Sequence, residues 1–130
     1  MDRFLFVFMT FLSISAHAKA EDITFTPFTP VSFVITKKDV AIVTYSIRNN
    51  TASVKKLNLV QIKGMKSLKS DGYCGAGIML LPKKGCMLSL QLTGKDMEDD
   101  IHHMPFLCTP DLSKCYFPAH DDQMDIILKG

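Results

Sequence analysis

Arginine, excess charge of one sign and nucleotide-binding glycine motifs are all scarce or absent in this sequence of 130 residues. Its only arginines are Arg3 and Arg48, and its formal net charge is only +2. Proteins that read nucleic acids depend on arginine forks, stacked aromatic residues and a strongly positive surface, so nucleic acid is not an expected partner. The sequence also contains no P-loop and no dinucleotide fingerprint.

Charged residues make up only 22% of the chain, whereas hydrophobic residues make up 47%. Intrinsic disorder requires the opposite balance, so the composition excludes a disordered chain. The length allows one domain.

The first twenty residues have the pattern of a secretory signal peptide. Arg3 gives a short basic start, an apolar run covers 4–14, and small residues occupy both Ala16-His17-Ala18 and Ala18-Lys19-Ala20. The apolar run is shorter than the ~20 residues that a membrane-spanning helix needs. We therefore expect cleavage of residues 1–20, with the site after Ala18 as the alternative, and a single mature domain over 21–130 without a membrane span.

Four cysteines lie in the predicted mature chain: Cys74, Cys86, Cys108 and Cys115. An even number of cysteines in a small exported domain is typical of disulfide bonds. Four cysteines allow three connectivities, and the sequence alone does not choose among them. We prefer Cys74–Cys86 with Cys108–Cys115, because this sequential pairing closes the shortest loops.

Short strands with polar turns between them dominate the mature sequence. The clearest strand is 40–48, where apolar residues alternate with polar ones at the period of a half-buried strand. The other predicted strands cover 23–26, 31–35, 54–62, 78–81, 86–93 and 124–128. The stretches 64–75 and 95–121 are predicted to be loops. Seven strands without an amphipathic helix favour an all-β, immunoglobulin-like antiparallel β-sandwich, with a small closed barrel as the alternative.

A resemblance then adds to this interpretation. It is carried by the following segments: 45–51 (YSIRNNT), Leu57, 62–65 (IKGM), Cys74, 85–94 (GCMLSLQLTG), Pro105, Cys108, Cys115 and Pro118. Together they resemble small exported modules of intracellular bacterial pathogens that carry a type IVB secretion system. The resemblance implies an immunoglobulin-like sandwich with adjacent cysteines paired in order, and the bacterial periplasm as the compartment.

The sequence contains no group of residues with the usual spacing of a metal-binding or catalytic site. His102, His103 and His120 with Cys108 and Cys115 lack the usual spacing of zinc ligands, and their cysteines are expected to be paired. The acidic groups 96–100 and 121–125 lack the order of an EF-hand. No G-x-S-x-G elbow marks a serine nucleophile, and Asn49-Asn50-Thr51 serves as a turn or, in a eukaryote, as a glycan acceptor. We expect no metal, no cofactor and no catalytic residue.

Interaction with other proteins is the function that this pattern favours. The sequence predicts a non-enzymatic exported protein-binding module. The resemblance implies the periplasm as its compartment, with secretion as the alternative. We expect it to form a homo-oligomer and, by the resemblance, to support secretion machinery or intracellular replication, which is a role in virulence. The candidate contact residues are aromatic: Phe25, Phe28, Phe33, Tyr116 and Phe117.

Three alternatives use other parts of the chain. An inhibitor or ligand-binding protein would present the loop 64–77 or an enclosed apolar cavity. A host-directed effector would keep its fold under reducing conditions. An enzyme would bring His102 or His103 together with Asp99, Asp100 or His120.

Overall fold

The computed structural model describes residues 21–75 and 77–130, so the predicted signal peptide lies outside the described residues. Two short 3₁₀ helices, Gly94–Asp96 and His120–Asp122, accompany eleven strands in the described part. The strands are β1 Ile23–Pro27, β2 Ser32–Thr36, β3 Val40–Asn49, β4 Lys55–Leu59, β5 Met65–Ser67, β6 Gly77–Leu80, β7 Gly85–Thr93, β8 Ile101–Met104, β9 Leu107–Cys108, β10 Cys115–Tyr116 and β11 Met124–Lys129. The all-β prediction is therefore confirmed.

The first sheet has the strand order β1-β3-β7-β5, and all its neighbouring strands are antiparallel. The longest ladder joins β3 to β7, from Val40 opposite Thr93 to Arg48 opposite Gly85. These two strands alternate apolar and polar residues, so each places one apolar row on the buried face of the sheet. This is the half of the fold that the sequence pattern predicts best.

The remaining strands form two further sheets, with the orders β10-β9-β4-β6 and β2-β11-β8. Their strands are interleaved along the chain, and only Pro105 and Phe106 separate β8 of one sheet from β9 of the other. The Val60 amide just after β4 donates to the Phe106 carbonyl at 3.0 Å, which continues the β4–β9 pairing into this break. The fold is accordingly a sandwich-like arrangement with open sheet edges.

Most of the sheet pairing is antiparallel, as expected, but β2 and β11 pair in parallel, with Ser32 opposite Asp125. Parallel strands require a long connection. Here almost the whole domain provides it, since β2 and β11 stand near opposite ends of the chain. No crossover helix is needed between β2 and β11. The sequence did not reveal this parallel pair, because only the connections between successive strands were considered there.

One apolar core lies between the sheets. Its fully buried members include Val43, Tyr45 and Ile47 of β3 and the leucines of β7. Strands β4, β9 and β11 supply Leu57, Leu107 and Ile126 from the other side. Inward-facing residues at every second position thus account for the single core.

Both preferred disulfide bonds are present, Cys74–Cys86 and Cys108–Cys115, and the described residues contain no free cysteine. Cys108 lies directly opposite Cys115 in the β9–β10 pair. Cys74 is held beside β7, where its amide donates to the Met87 carbonyl at 2.8 Å. The two bonds are consistent with an oxidising environment, extracellular or periplasmic.

Two loop predictions need correction. The segment 95–121 was predicted to be irregular, yet it contains β8, β9 and β10; the segment 64–75 contains β5. These strands are only two to four residues long, so no periodicity can develop in them. The predicted strand 54–62 is also shorter in the structure, where it covers Lys55–Leu59. Within the described ranges, no helix has the length and apolar character required to cross a membrane.

Candidate functional site

The five aromatic residues proposed from the sequence as contacts divide into buried and exposed ones. Phe25 is buried and meets the ring of Tyr45 edge-on at 6.1 Å, and Phe33 packs partly buried against the core. These two residues belong to the interior. Phe28 and Phe117 are 64% and 54% exposed, whereas Tyr116 is half-buried.

Phe117 and Tyr116 lie along a groove on the side of the sandwich. Its walls are β1 with the two residues before it, 21–26, and the segment 114–123, and its volume is about 920 Å³. Phe117 is fixed there by an edge-to-face contact with Phe106 at 5.8 Å. The ammonium group of Lys114 lies 5.3 Å from the centre of the Tyr116 ring. Phe28 lies outside this lining.

Strand β1 is an edge strand of its sheet and forms one wall of the groove, where Ile23 and Phe25 are only 3% and 7% exposed. The Asn50 amide donates to the Asp22 carbonyl and the Phe28 amide to the Thr44 carbonyl, each at 2.9 Å. Since alternate residues of an antiparallel strand face its partner, the even-numbered residues of β1 bond to β3. The backbone groups of Ile23 and Phe25 therefore point away from the sheet. Among the described residues, none bonds to them.

The far wall of the groove is anchored to the core by Tyr45, a residue that the sequence interpretation did not single out. Its hydroxyl donates to the Asp122 carbonyl oxygen at 2.6 Å. Burial, with a smaller contribution from the Asp122 carboxylate, raises the pKa of the Tyr45 hydroxyl well above its usual range. The hydroxyl thus remains a hydrogen-bond donor over the whole physiological pH range.

Among the histidines within 21–75 and 77–130, His102 is the one that lies between carboxylates. Its Nδ1 lies 2.7 Å from Asp125 Oδ1, and its Nε2 lies 3.8 Å from Asp100 Oδ2. Ser32 stands opposite Asp125 in β2, but both imidazole nitrogens already face carboxylates, so neither is directed at a serine hydroxyl. The Nδ1 of His103 instead lies 3.1 Å from the side-chain oxygen of Gln123.

The convergence expected for an enzyme is met in part: His102 lies against Asp100, and His102, His103 and His120 line one shallow cavity. Asp100 also accepts the Leu128 amide at 2.7 Å, which gives it a structural role. Within 21–75 and 77–130, no three histidine, cysteine or acidic side chains are placed to hold a metal ion.

The candidate glycan acceptor at Asn49 is buried. Its amide nitrogen donates to the carbonyls of Ser53 and Leu80 at 2.8 and 3.0 Å, and its oxygen accepts from the Thr51 amide and hydroxyl. All this hydrogen-bonding capacity is used inside the fold, so the acceptor interpretation is wrong for the folded protein. Ser89 is likewise buried, and its hydroxyl pairs with that of Thr44 at 2.9 Å.

Neither a comparison with models of known protein families nor one with curated proteins finds a match for this chain.

Proposed function

We propose that this protein is a non-enzymatic, exported protein-binding module that acts in the bacterial periplasm. The observation that supports the proposal is the position of β1 at the edge of its sheet, with the backbone groups of Ile23 and Phe25 directed away from β3 beside an aromatic groove. Open sheet edges bind extended segments through main-chain hydrogen bonds, and adjacent side-chain pockets give specificity.

In this proposal an added strand lies along β1, and its side chains contact Tyr116 and Phe117. The edge is short, because Pro27 at its end has no amide hydrogen. An added strand therefore obtains donors only from Ile23 and Phe25, while the Pro27 carbonyl remains available as an acceptor. This pattern favours a short segment of about three to five residues, by the 3.3 Å rise of a strand residue.

The β1 strand of a second copy of this chain has the donors and acceptors that match the edge of the first. When two β1 strands pair antiparallel about Phe25, the Phe25 backbones exchange two hydrogen bonds. Each Ile23 amide then faces the carbonyl of the partner's Pro27, so the missing proline donor is not needed. We propose a homodimer of this kind as the first complex to look for. The resemblance to modules associated with type IVB secretion suggests that the complex supports that machinery.

The test measures the mass of the purified exported protein in solution and its capture of envelope proteins by cross-linking. We expect a dimer or a captured partner. Phe117→Ser should weaken the complex, because Phe117 lines the groove. Phe28→Ser is the matched control, since Phe28 is at least as exposed but lies outside the groove. A monomer that captures nothing, or equal effects of both variants, would contradict the proposal.

A further inference from the structure

Three turns meet at one end of the sandwich, away from the middle of the aromatic groove. They connect β3 to β4 (50–54), β6 to β7 (81–84) and β9 to β10 (109–114). The pairings of β3 with β7, β4 with β6 and β4 with β9 are antiparallel, and this places the three turns at the same end. We call this surface the three-turn tip.

Hydrogen bonds fix the first two turns to each other. The buried Asn49 amide nitrogen donates to the Ser53 carbonyl in one turn and to the Leu81 carbonyl in the other, at 2.8 and 3.3 Å. Lys83 Nζ donates to the Asn50 carbonyl at 2.6 Å. The third turn shares a shallow groove with 54–56. The tip is therefore one connected surface.

Each turn of the tip presents one exposed aliphatic side chain. Val54, Leu81 and Leu112 are 48%, 52% and 70% exposed. Leu112 also has a φ of 60°, in the left-handed region that a bulky residue adopts only with strain. Burial of the Leu112 side chain within the chain is too small to offset this backbone strain. We therefore infer that Leu112 makes a contact outside the chain.

Lysines surround these aliphatic residues. Five belong to the turns or to the adjoining strand β4: Lys55, Lys56, Lys83, Lys84 and Lys114. The single acid within the turns is Asp111, whose carboxylate accepts hydrogen bonds from Thr109 and Ser113. Two further acids adjoin the tip: Asp22 lies 3.7 Å from Lys114, and Glu21 accepts a hydrogen bond from the Asn50 side chain through its backbone carbonyl at 2.9 Å. The tip is thus apolar at its protruding points and positive around them.

We propose that the three-turn tip, which shares Lys114 with the β1 groove, docks on a lipid surface with anionic headgroups. The three aliphatic side chains enter the interfacial layer, and the lysines lie among the headgroups. Buried apolar area and attraction between basic residues and anionic lipids both strengthen interfacial membrane binding. A protein partner is disfavoured, because protein interfaces concentrate aromatic residues and arginine and are poor in lysine. The three turns contain no aromatic residue and no arginine.

The experiment measures sedimentation with vesicles of phosphatidylcholine alone and of equal parts phosphatidylcholine and phosphatidylglycerol. The protein is purified after export, and its N-terminus is established by mass spectrometry, because a retained apolar leader would itself bind lipid. We expect binding to the mixed vesicles and little binding to the neutral ones. Lys56→Gln with Lys84→Gln should lower affinity roughly thirtyfold, since each lysine near an anionic surface contributes ~1 kcal/mol.

The aliphatic contribution is tested by the triple variant Val54→Thr, Leu81→Gln and Leu112→Asn, in which asparagine suits the left-handed backbone. We expect a loss of roughly tenfold or more. The matched control is Val34→Thr, Val40→Thr and Ile42→Thr, which removes three comparably exposed aliphatic residues outside the tip. Circular dichroism verifies that both variants fold.

Four results would overturn the proposal: no binding to mixed vesicles, equal binding to neutral ones, equal loss in both triple variants, or capture of an acidic protein by the tip without vesicle binding. Failure of vesicle binding would leave the β1 complex intact, so the two proposals fail separately.

Discussion

At the scale of single residues, buried polar groups hold the turns of this protein in place. Asn49 is the clearest case, because a fully buried side-chain amide satisfies backbone groups from two different turns. The sequence gives Asn49-Asn50-Thr51 as a turn signal. It does not reveal which asparagine is buried, since that depends on the distant carbonyl of Leu80.

Replacing Asn49 with aspartate should destabilise the fold strongly. The carboxylate would face the carbonyl oxygens of Ser53, Leu80 and Leu81 and have no hydrogen to donate. Loss of a buried donor network costs about 3 kcal/mol or more. Chemical denaturation of Asn49→Asp checks this value, with Asn50→Asp as the control at a less buried site. Equal loss in both variants would refute the assigned role of Asn49.

Asp111 should titrate at unusually low pH. Hydrogen bonds from the Thr109 hydroxyl, and then from the backbone and side chain of Ser113, lower the pKa of its carboxyl group from 3.8 to about 2. Because the folded pKa is depressed, this stabilisation is complete above pH 3.8 and is lost as the pH falls toward 2. A carboxyl carbon NMR titration measures the midpoint directly. A midpoint near 4 would show that the turn hydrogen bonds are not formed in solution.

At the scale of strands and turns, long alternating segments were predictable and short ones were not. The strands β3 and β7 were found because nine or ten residues give periodicity room to develop. The strands β8, β9 and β10 were missed because prolines and a histidine pair interrupt a segment whose pairing comes from distant partners. The aromatic candidates show the same limit, because nothing local in the sequence distinguished the buried Phe25 and partly buried Phe33 from the exposed Phe117.

Gly94 ends β7 where the chain passes the turn between β2 and β3. Its amide donates to the Asp39 carbonyl at 2.9 Å, and an added Cβ would collide with the Thr36 carbonyl. We expect Gly94→Ala to lower the free energy of unfolding by about 2–3 kcal/mol, because backbone must move. In Gly77→Ala the nearest atom is the Asn58 side-chain oxygen at 3.6 Å, so this control should cost less. Thermal unfolding compares the two variants, and equal losses would contradict the close approach.

At the scale of the whole molecule, two disulfides and one core stabilise a domain of modest size. The bonds span 12 and 7 residues. For loops of these lengths each bond should contribute ~2–3 kcal/mol, and slightly more for the longer one. The even number of cysteines and the signal-peptide pattern predicted the two disulfide bonds. The structure adds that Cys108 and Cys115 are cross-strand neighbours.

Removing one disulfide by paired alanine substitution should lower the melting temperature by roughly 8–24 °C, since 1 kcal/mol corresponds to about 4–8 °C in a domain of this size. The Cys74→Ala, Cys86→Ala variant should lose slightly more than the Cys108→Ala, Cys115→Ala variant. Calorimetry under non-reducing conditions measures both. An unchanged melting temperature in either variant would show that the corresponding bond does not stabilise the protein.

The open edge of β1 is tested most directly by hydrogen exchange at individual amides. In the monomer, the amides of Ile23 and Phe25 should exchange fast, and those of Thr24 and Thr26 slowly, because only the latter bond to β3. In the complex, the Ile23 and Phe25 amides should become protected while the three-turn tip is unchanged. Slow exchange at Phe25 in the monomer, or no added protection in the complex, would contradict the claim that β1 recruits another strand.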